Sequence, residues 1–467
     1  MEGYPEPLSG SPGPEQAMNT QRDIFENYSV PRAMMVMAVP TIISQLITLV
    51  YNLADTWFIG LTENPYMVAG CSLVLPVFMI TIVIANLFGT GGGTLISRLL
   101  GTKRDDEAAR VCALSLRMAL IGAAAYALGC FVFRDPLLKL LGASENTLGY
   151  ARQYILFVIT VGGIPSVMSA AMSSILRSIG YSKKASFGLA MGGLLNIALD
   201  PLFMFVILPD GMQVMGAAIA TMLSNTCAFL YFIYTFRKLK GETVLTWSLT
   251  DGMPEQSSVR SIFSVGVPAA LSVFLFDLCN IVINKLASGH GDFELAATGI
   301  VLKAERLPLN TGVGICLGMV PLLAYNYAAK NYKRMNEVFA FGRIVGIVFA
   351  LICVVLYRIF APWIIRAFIR EPMTVEYGTA FLRARCFATP LMFLSFSMVH
   401  FMQAIGRGQT AFILAVLRQL VFNIPLLLIL HAAFGVMGIV WTQLVGDTLT
   451  VIVSYIIYMR IKKKEGF

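Results

Sequence analysis

Two aspartates stand where a membrane-spanning helix tolerates charge poorly. Asp55 lies in YNLADTWFIG (51–60), at the end of an apolar run that begins near Val36, and Asp200 lies in NIALDPLF (196–203), inside another. An ionisable side chain at the middle of a span costs about 2.5–3.5 kcal/mol or more, so each is a functional candidate by default. Asn52 precedes Asp55 by three residues and Asn196 precedes Asp200 by four, so each acid shares a helix face with a carboxamide that can hydrogen-bond it. Counted back from the ends of their spans, the two carboxylates lie within about one helical turn of the same depth. Paired acids in a low dielectric raise each other's affinity for H⁺, or share Na⁺ with amide oxygens. The expected chemistry is reversible binding of a small cation at Asp55, Asn52, Asn196 and Asp200, with a Na⁺ site at Asp55, Asn196 and Asp200 as one form of it. The competing reading is a polar knot that only ties helices together.

Other ionisable groups fall inside apolar runs: Asp277, the LKAERLPLN group with Lys303, Glu305 and Arg306, Arg418 and Asp447. The helix-eight charges are expected to neutralise one another locally, and Asp277 and Asp447 are candidate partners for Arg418. Asp277, Asn280, Lys303, Glu305, His400 and Gln403 are the candidate lining of a substrate cavity. GTGGGT (89–94) is no phosphate loop, because no Lys follows it; its expected role is close helix packing. The chain has no Walker, H-E-x-x-H or G-x-S-x-G spacing, which argues against an ATPase or a hydrolytic enzyme. Its eight cysteines are scattered singly without a C-x-x-C, and His290, His400 and His431 are too far apart for a local metal motif. No cofactor is expected, only a coupling ion, H⁺ or Na⁺.

The elements that must hold these residues are membrane helices. Of 467 residues, 57% are hydrophobic and only 13% charged, against the roughly 45–50% apolar of soluble domains. A span needs about 20 apolar residues, and cutting at turn and charge signals yields twelve runs: 32–59, 69–98, 108–133, 150–177, 184–208, 214–237, 258–287, 294–325, 336–365, 376–404, 410–431 and 435–459. Loops after the even-numbered runs (SRLLGTKRDDEAAR, RSIGYSKK, FRKLKGETV, AKNYKRMNE) are basic, while LTENPYM, PDGMQ, SGHGD and HAAFG carry no Lys or Arg. The positive-inside rule therefore places both termini in the cytoplasm of a multi-pass protein of the cell membrane and explains the net charge of +9 without nucleic acid. FRDPLLKLLG and FAPWIIRAFIREP are expected to lie along the interface as short amphipathic pieces.

The two halves match. AVPTIISQLITLVYN (38–52) parallels GVPAALSVFLFDLCN (266–280), and VMGAAIATML (214–223) parallels VMGIVWTQL (436–444). Six spans per half make the repeat parallel, with its axis along the membrane normal. With Pro40 set on Pro268, Asp55 falls on Ile283; with Pro201 set on Pro425, Asp200 falls on Ile424. The second half keeps the scaffold and drops both acids, which assigns the cation site to the first. The fold class is therefore an all-α polytopic membrane protein, with 12 transmembrane helices in two six-helix lobes related by a pseudo-two-fold. Expected divisions are a disordered tail 1–30, an N-lobe 31–239, a linker 240–257, a C-lobe 258–460 and a basic tail 461–467.

PTIISQLITLVYNLADTWFIG, NIALDPLF, GMQVMGAAIAT and ATGIVLKAERLPLNTGVGICLGMVPLLAYNYAAKNYKR together resemble the multidrug and toxic compound extrusion (MATE) family, along nearly the whole chain after residue 30. The resemblance implies a V-shaped cavity between two six-helix lobes and export of amphipathic, often cationic compounds against inward H⁺ or Na⁺. In the branch with an N-lobe cation site, the matching positions are Asp55, Asn196 and Asp200, with Thr221 as the helix-six threonine. A branch that uses acids of helices seven and ten fits less well, since helix ten offers Ser395, Ser397, His400 and Gln403 but no central acid. The expected protein is a prokaryotic, monomeric antiporter working by alternating access on small amphipathic molecules in the bilayer. A flippase for a lipid-linked precursor is the alternative, and a polytopic membrane enzyme comes third.

Overall fold

The structure is a computed structural model that describes residues 22–246 and 252–467, the side chain of Asp277 excepted. Among these residues eleven helices are long and apolar enough to cross a membrane, and one bent pair supplies a twelfth span. In chain order they are α1 Val30–Gly60, α2 Pro65–Gly101, α3 Asp105–Val132, the bent α4 (Glu145–Val161 and Gly163–Ser178, meeting at 46°), α5 Ser182–Ile207, α6 Gln213–Lys238, α7 Gln256–Ala287, α8 Asp292–Ala328, α9 Tyr332–Phe368, α10 Pro372–Ala404, α11 Gly408–Phe434 and α12 Val436–Glu465.

Four of the prolines inside spans mark interruptions. Pro165 follows the break of α4, Pro201 precedes a π-helical turn over Phe203–Ile207, Pro390 follows a 3₁₀ turn over Cys386–Ala388, and Pro425 follows a π stretch over Leu417–Asn423. Proline lacks the N–H that its i−4 carbonyl needs, so the surrounding turn loosens to re-pair its groups. Pro268 and Pro308 lie in unbroken helices.

Three expectations change. The segment FAPWIIRAFIREP does not lie apart: α9 runs on through Pro362 to Phe368, because its apolar face stays packed through Ala361 and Ile365. FRDPLLKLLG does form a separate seven-residue helix, Arg134–Leu140. The stretch read as a disordered tail to residue 30 is ordered from residue 22, since Ile24 and Phe25 are buried at 6% and 1% exposure. Residues 1–21 lie outside the described residues. At the other end, α12 continues through the basic 461–465 and Phe467 is buried against Tyr327, Tyr332, Phe401 and Tyr458.

The distribution of the apolar core shows how the halves meet. At the end of the molecule that carries the Lys/Arg-rich loops, one core is shared by both halves, running from Phe88, Leu95 and Ile175 to Ile315, Met319, Phe339 and Phe401. Toward the opposite end the core divides. One cluster there contains only residues of the first half, such as Met67, Val74, Tyr154 and Met204, and two others contain only residues of the second. The halves are joined at the basic end and separate beyond it.

That seam is built of small residues. A Cβ on Gly91 of α2 would stand 3.0 Å from the Cα of Gly266 on α7, and one on Gly314 of α8 would stand 2.8 Å from the Cα of Ile42 on α1. Gly318 meets the backbone of Ala38 in the same way. Without a side chain the backbones approach closely, which is how membrane helices gain dispersion contact where lipid offers no hydrophobic drive. The glycines of 89–94 therefore pack helices, as their sequence suggests.

Candidate functional site

The site is assembled on α5. Its Asn196 and Asp200, one turn apart, are buried at 3% and 0% exposure, and Pro201 and the π turn that follow loosen the helix directly beyond them. Small residues let neighbours close in: a Cβ on Gly193 would come within 3.0 Å of Tyr51 and Ile47 of α1, and one on Gly216 of α6 would press on the Phe203 carbonyl at 2.8 Å.

The Asn196 carboxamide is the hub. Its Nδ2 donates to Asp200 Oδ1 at 3.2 Å and to Thr221 Oγ1 of α6 at 3.3 Å. Asp55 of α1 is half-buried and close enough for its charge to act on Asp200. Tyr154, buried in the first turns of α4, lies near both carboxyls. Three oxygens in this cluster, Asp55 Oδ1, Asn196 Oδ1 and Asp200 Oδ2, are buried with no hydrogen-bond donor. Leaving one such acceptor unpaired costs about 1–3 kcal/mol, more for a charged group. A proton on a carboxyl, or a hard cation that prefers oxygen ligands, would relieve that cost. Among the described residues no group of three His, Cys, Asp or Glu gathers anywhere, so the donor set does not suit a soft transition metal.

Asn52 is not part of this cluster. It sits on the exposed side of α1. The i, i+3 spacing put the two on adjacent faces, but Asp55 turns toward α5 while Asn52 does not. Tyr154 was missing from the sequence reading, because a tyrosine in a helix start has no spacing that sets it apart.

The second half carries a different arrangement at the matching level. Glu305 of α8 accepts from Arg385 Nε of α10 with both oxygens at 2.7 Å, so its hydrogen-bond partner lies on another helix and not at Lys303. Residues two apart on a helix point in different directions, whereas Arg385 faces Glu305 across the helix pair. Arg418 of α11 pairs with Asp447 of α12 at 2.6 and 3.3 Å, as one of the two expected pairings has it. Gln443 bridges them, donating to Asp447 at 2.5 Å and accepting from Arg385 at 3.5 Å. The repeat sets Gln443 on Thr221, so each half has a polar residue at that point of its sixth helix. Arg385 escaped notice because it lies near the polar start of its span.

The remaining cavity candidates are dispersed. Lys303 is exposed, Asn280 is half-buried, and the side chain of Asp277 lies outside the described residues. His400 is tied to its own helix through Nδ1 and the Phe396 carbonyl at 2.8 Å, and Gln403 is buried at 4% exposure. His290 and His431, far apart in sequence, meet with their Nε2 atoms 2.8 Å apart.

The sequence model of the MatE family matches this chain twice, over 40–202 and 268–429. The chain belongs to the MatE family. Both matches open on the prolines that anchor the internal repeat, Pro40 and Pro268. Among curated relatives of this family member, "Multidrug export protein MepA" of Staphylococcus haemolyticus is 30% identical over 436 residues, covering 93% of this chain and 94% of that one. The protein of the same name from Staphylococcus saprophyticus is 32% identical over 433 residues, with the same coverage. In fold, this MatE protein matches a multidrug resistance MATE family transporter of the MOP superfamily in an outward-facing conformation, with a TM-score of 0.89 at 23% identity over 95% of this chain and 98% of that one. A MOP superfamily transporter from Pyrococcus furiosus matches with a TM-score of 0.86 at 24% identity, over 94% of this chain and 97% of the other.

Proposed function

We propose that this protein is a cation-coupled exporter of amphipathic, mainly cationic small molecules, in which Asp55 and Asp200 bind H⁺ or Na⁺ while the two halves alternate access. The observation that carries the coupling is the cluster of three buried, donorless oxygens on Asp55, Asn196 and Asp200. Its counterpart in the second half, among the described residues, pairs two arginines with two carboxylates. The MepA relatives carry the export of drugs as the matching activity. The basic loops support an orientation with their end of the molecule, and both termini, on the cytoplasmic side of a prokaryotic cell membrane. On that orientation the halves are closed to the cytoplasm and parted toward the outside. One chain supplies both halves and works as a monomer.

The test is efflux of a fluorescent lipophilic cation from proteoliposomes under an imposed pH or Na⁺ gradient. Wild type is expected to respond to one of the two gradients, and Asp200→Asn to fall to the passive leak while still folding. Efflux by Asp200→Asn equal to wild type, under the same gradient, would remove the site from the mechanism.

A further inference from the structure

The shared core at the basic end is crossed by a segment that belongs to one half and grips the other. Residues 22–28 run directly into α1 of the first half. From there Phe25 stacks on Tyr325 at the end of α8, with ring centroids 4.9 Å apart and planes at 16°. Glu26 accepts from the Tyr325 hydroxyl. Asn326 Nδ2 donates to the Phe25 carbonyl at 3.3 Å. Arg334, in the first turn of α9, collects three carbonyls: Nε donates to Phe25 at 2.6 Å, and Nη2 donates to Tyr28 at 2.6 Å and to Ile24 at 3.3 Å. At its front end the segment returns to the first half, where Arg22 Nη2 meets both Asp105 oxygens at 2.8 and 2.6 Å.

A second set of bonds joins the same two halves nearby. Glu107 of α3 accepts from the Glu255 N–H at 2.9 Å and from the Ser258 hydroxyl at 2.7 Å, and Arg98 of α2 reaches Ser261 at 3.0 Å. Arg104 pairs with Glu255. These four bonds are between helix ends that face each other across the seam. The 22–28 segment differs, because it lies over the second half while remaining chained to the first. If the halves part at this end, α1 must carry the segment away from Tyr325, Asn326 and Arg334, or the segment must unfold at Ser29 to stay behind.

We propose that residues 22–28 are a gate strap: Phe25 and the Arg334 fork hold the basic end closed, and their release is an obligatory step before that end can open. The strap contributes only to the closed state, so its contacts set the equilibrium between the two faces. Arg334 is a positioning residue here, acting through three backbone carbonyls and touching neither cation nor cargo. This inference rests on alternating access but not on the identity of the coupling ion.

The test is a distance measurement that needs no ion gradient and no drug. Spin labels at Lys183→Cys and Glu337→Cys, both exposed at the basic end, one in each half, report its opening; the exposed Cys227 is replaced first. Wild type without gradient is expected to give mainly a short distance with a minor long one. Arg334→Ala and, separately, Phe25→Ala are expected to raise the long-distance population about three- to tenfold, as the loss of contacts unique to one state requires. Arg334→Lys, which keeps the charge but cannot fork to three carbonyls, is expected to resemble Arg334→Ala. If Arg334→Ala does not fold, Phe25→Ala decides alone. An unchanged distribution in folded Phe25→Ala and Arg334→Ala proteins overturns the strap, whereas Asp200→Asn, which leaves the strap intact, bears only on the coupling site.

Discussion

At the scale of residues, Asn196 is a better-placed group than either acid, because its one carboxamide nitrogen reaches both Asp200 and Thr221. That nitrogen fixes which way the amide points, and so aims Asn196 Oδ1, without a donor, into the cluster. Thr221→Val should therefore act indirectly. It removes one acceptor worth about 1 kcal/mol, which lets the amide turn and weakens apparent cation affinity about fivefold. Cation titration of gradient-driven efflux measures that shift. Asn52→Ala in the same assay should change nothing, since Asn52 lies outside the cluster. The contrast shows what spacing can and cannot reveal. Asp55 and Asp200 were legible because charge in an apolar run is costly wherever its side chain points. The face of Asn52 was not legible, because three residues along a helix leave an angular difference that only the neighbouring helix resolves.

At the scale of elements, the paired arginines of the second half are structural in a way that can be measured. Arg418 is 4% exposed and Asp447 fully buried, so removing one partner leaves the other charged and unpaired in a low dielectric. Arg418→Ala should destabilise the protein by about 3–5 kcal/mol, and adding Asp447→Ala should restore part of that loss. Thermal unfolding of the two single variants and the double variant checks it; a double variant less stable than Arg418→Ala would contradict the pairing. The start of α10 gives a pH dependence. Glu371 caps it, accepting from the N–H groups of Met373 at 3.0 Å and Thr374 at 2.5 Å. The Thr374 hydroxyl first, and then these N–H groups, hold its carboxyl below the ordinary glutamate value. A depressed folded-state pKa means the cap stabilises above the unfolded value of about 4.3 and is lost as pH falls through the lower folded value. Glu371→Gln should therefore narrow the difference in melting temperature between neutral and acid pH. Helix number and order were readable from hydropathy alone, and prolines signalled four of the interruptions. The continuation of α9 past Pro362 was not readable, because Arg358, Arg366 and Arg370 resemble an interface while packing at Ala361 and Ile365 keeps the helix going.

At the scale of the whole molecule, a site inside one half has to influence a seam between two. α1 is the element that touches both. It carries Asp55 beside α5 and, 17 residues earlier in the chain, Ala38 against Gly318 of α8. That separation is about 25 Å of helix, long enough to link the cluster to the closed end. If cation binding favours the state with the basic end closed, then whatever weakens that state must weaken cation binding in proportion to the closed population it removes. Ala38→Leu enlarges a side chain that already packs on Gly318, where a Cβ added to the glycine would stand 2.5 Å from the Ala38 Cα, and so wedges the seam without touching the cluster. Trp57, two residues beyond Asp55 and exposed, is a local fluorescence reporter of cation binding. The expected result is that Ala38→Leu shifts the cation midpoint at Trp57 to higher concentration, in inverse proportion to the closed population that remains between Lys183→Cys and Glu337→Cys. An opened seam with an unmoved midpoint would mean that the two ends of α1 move independently, and the coupling would then have to run through α5 and α2 instead.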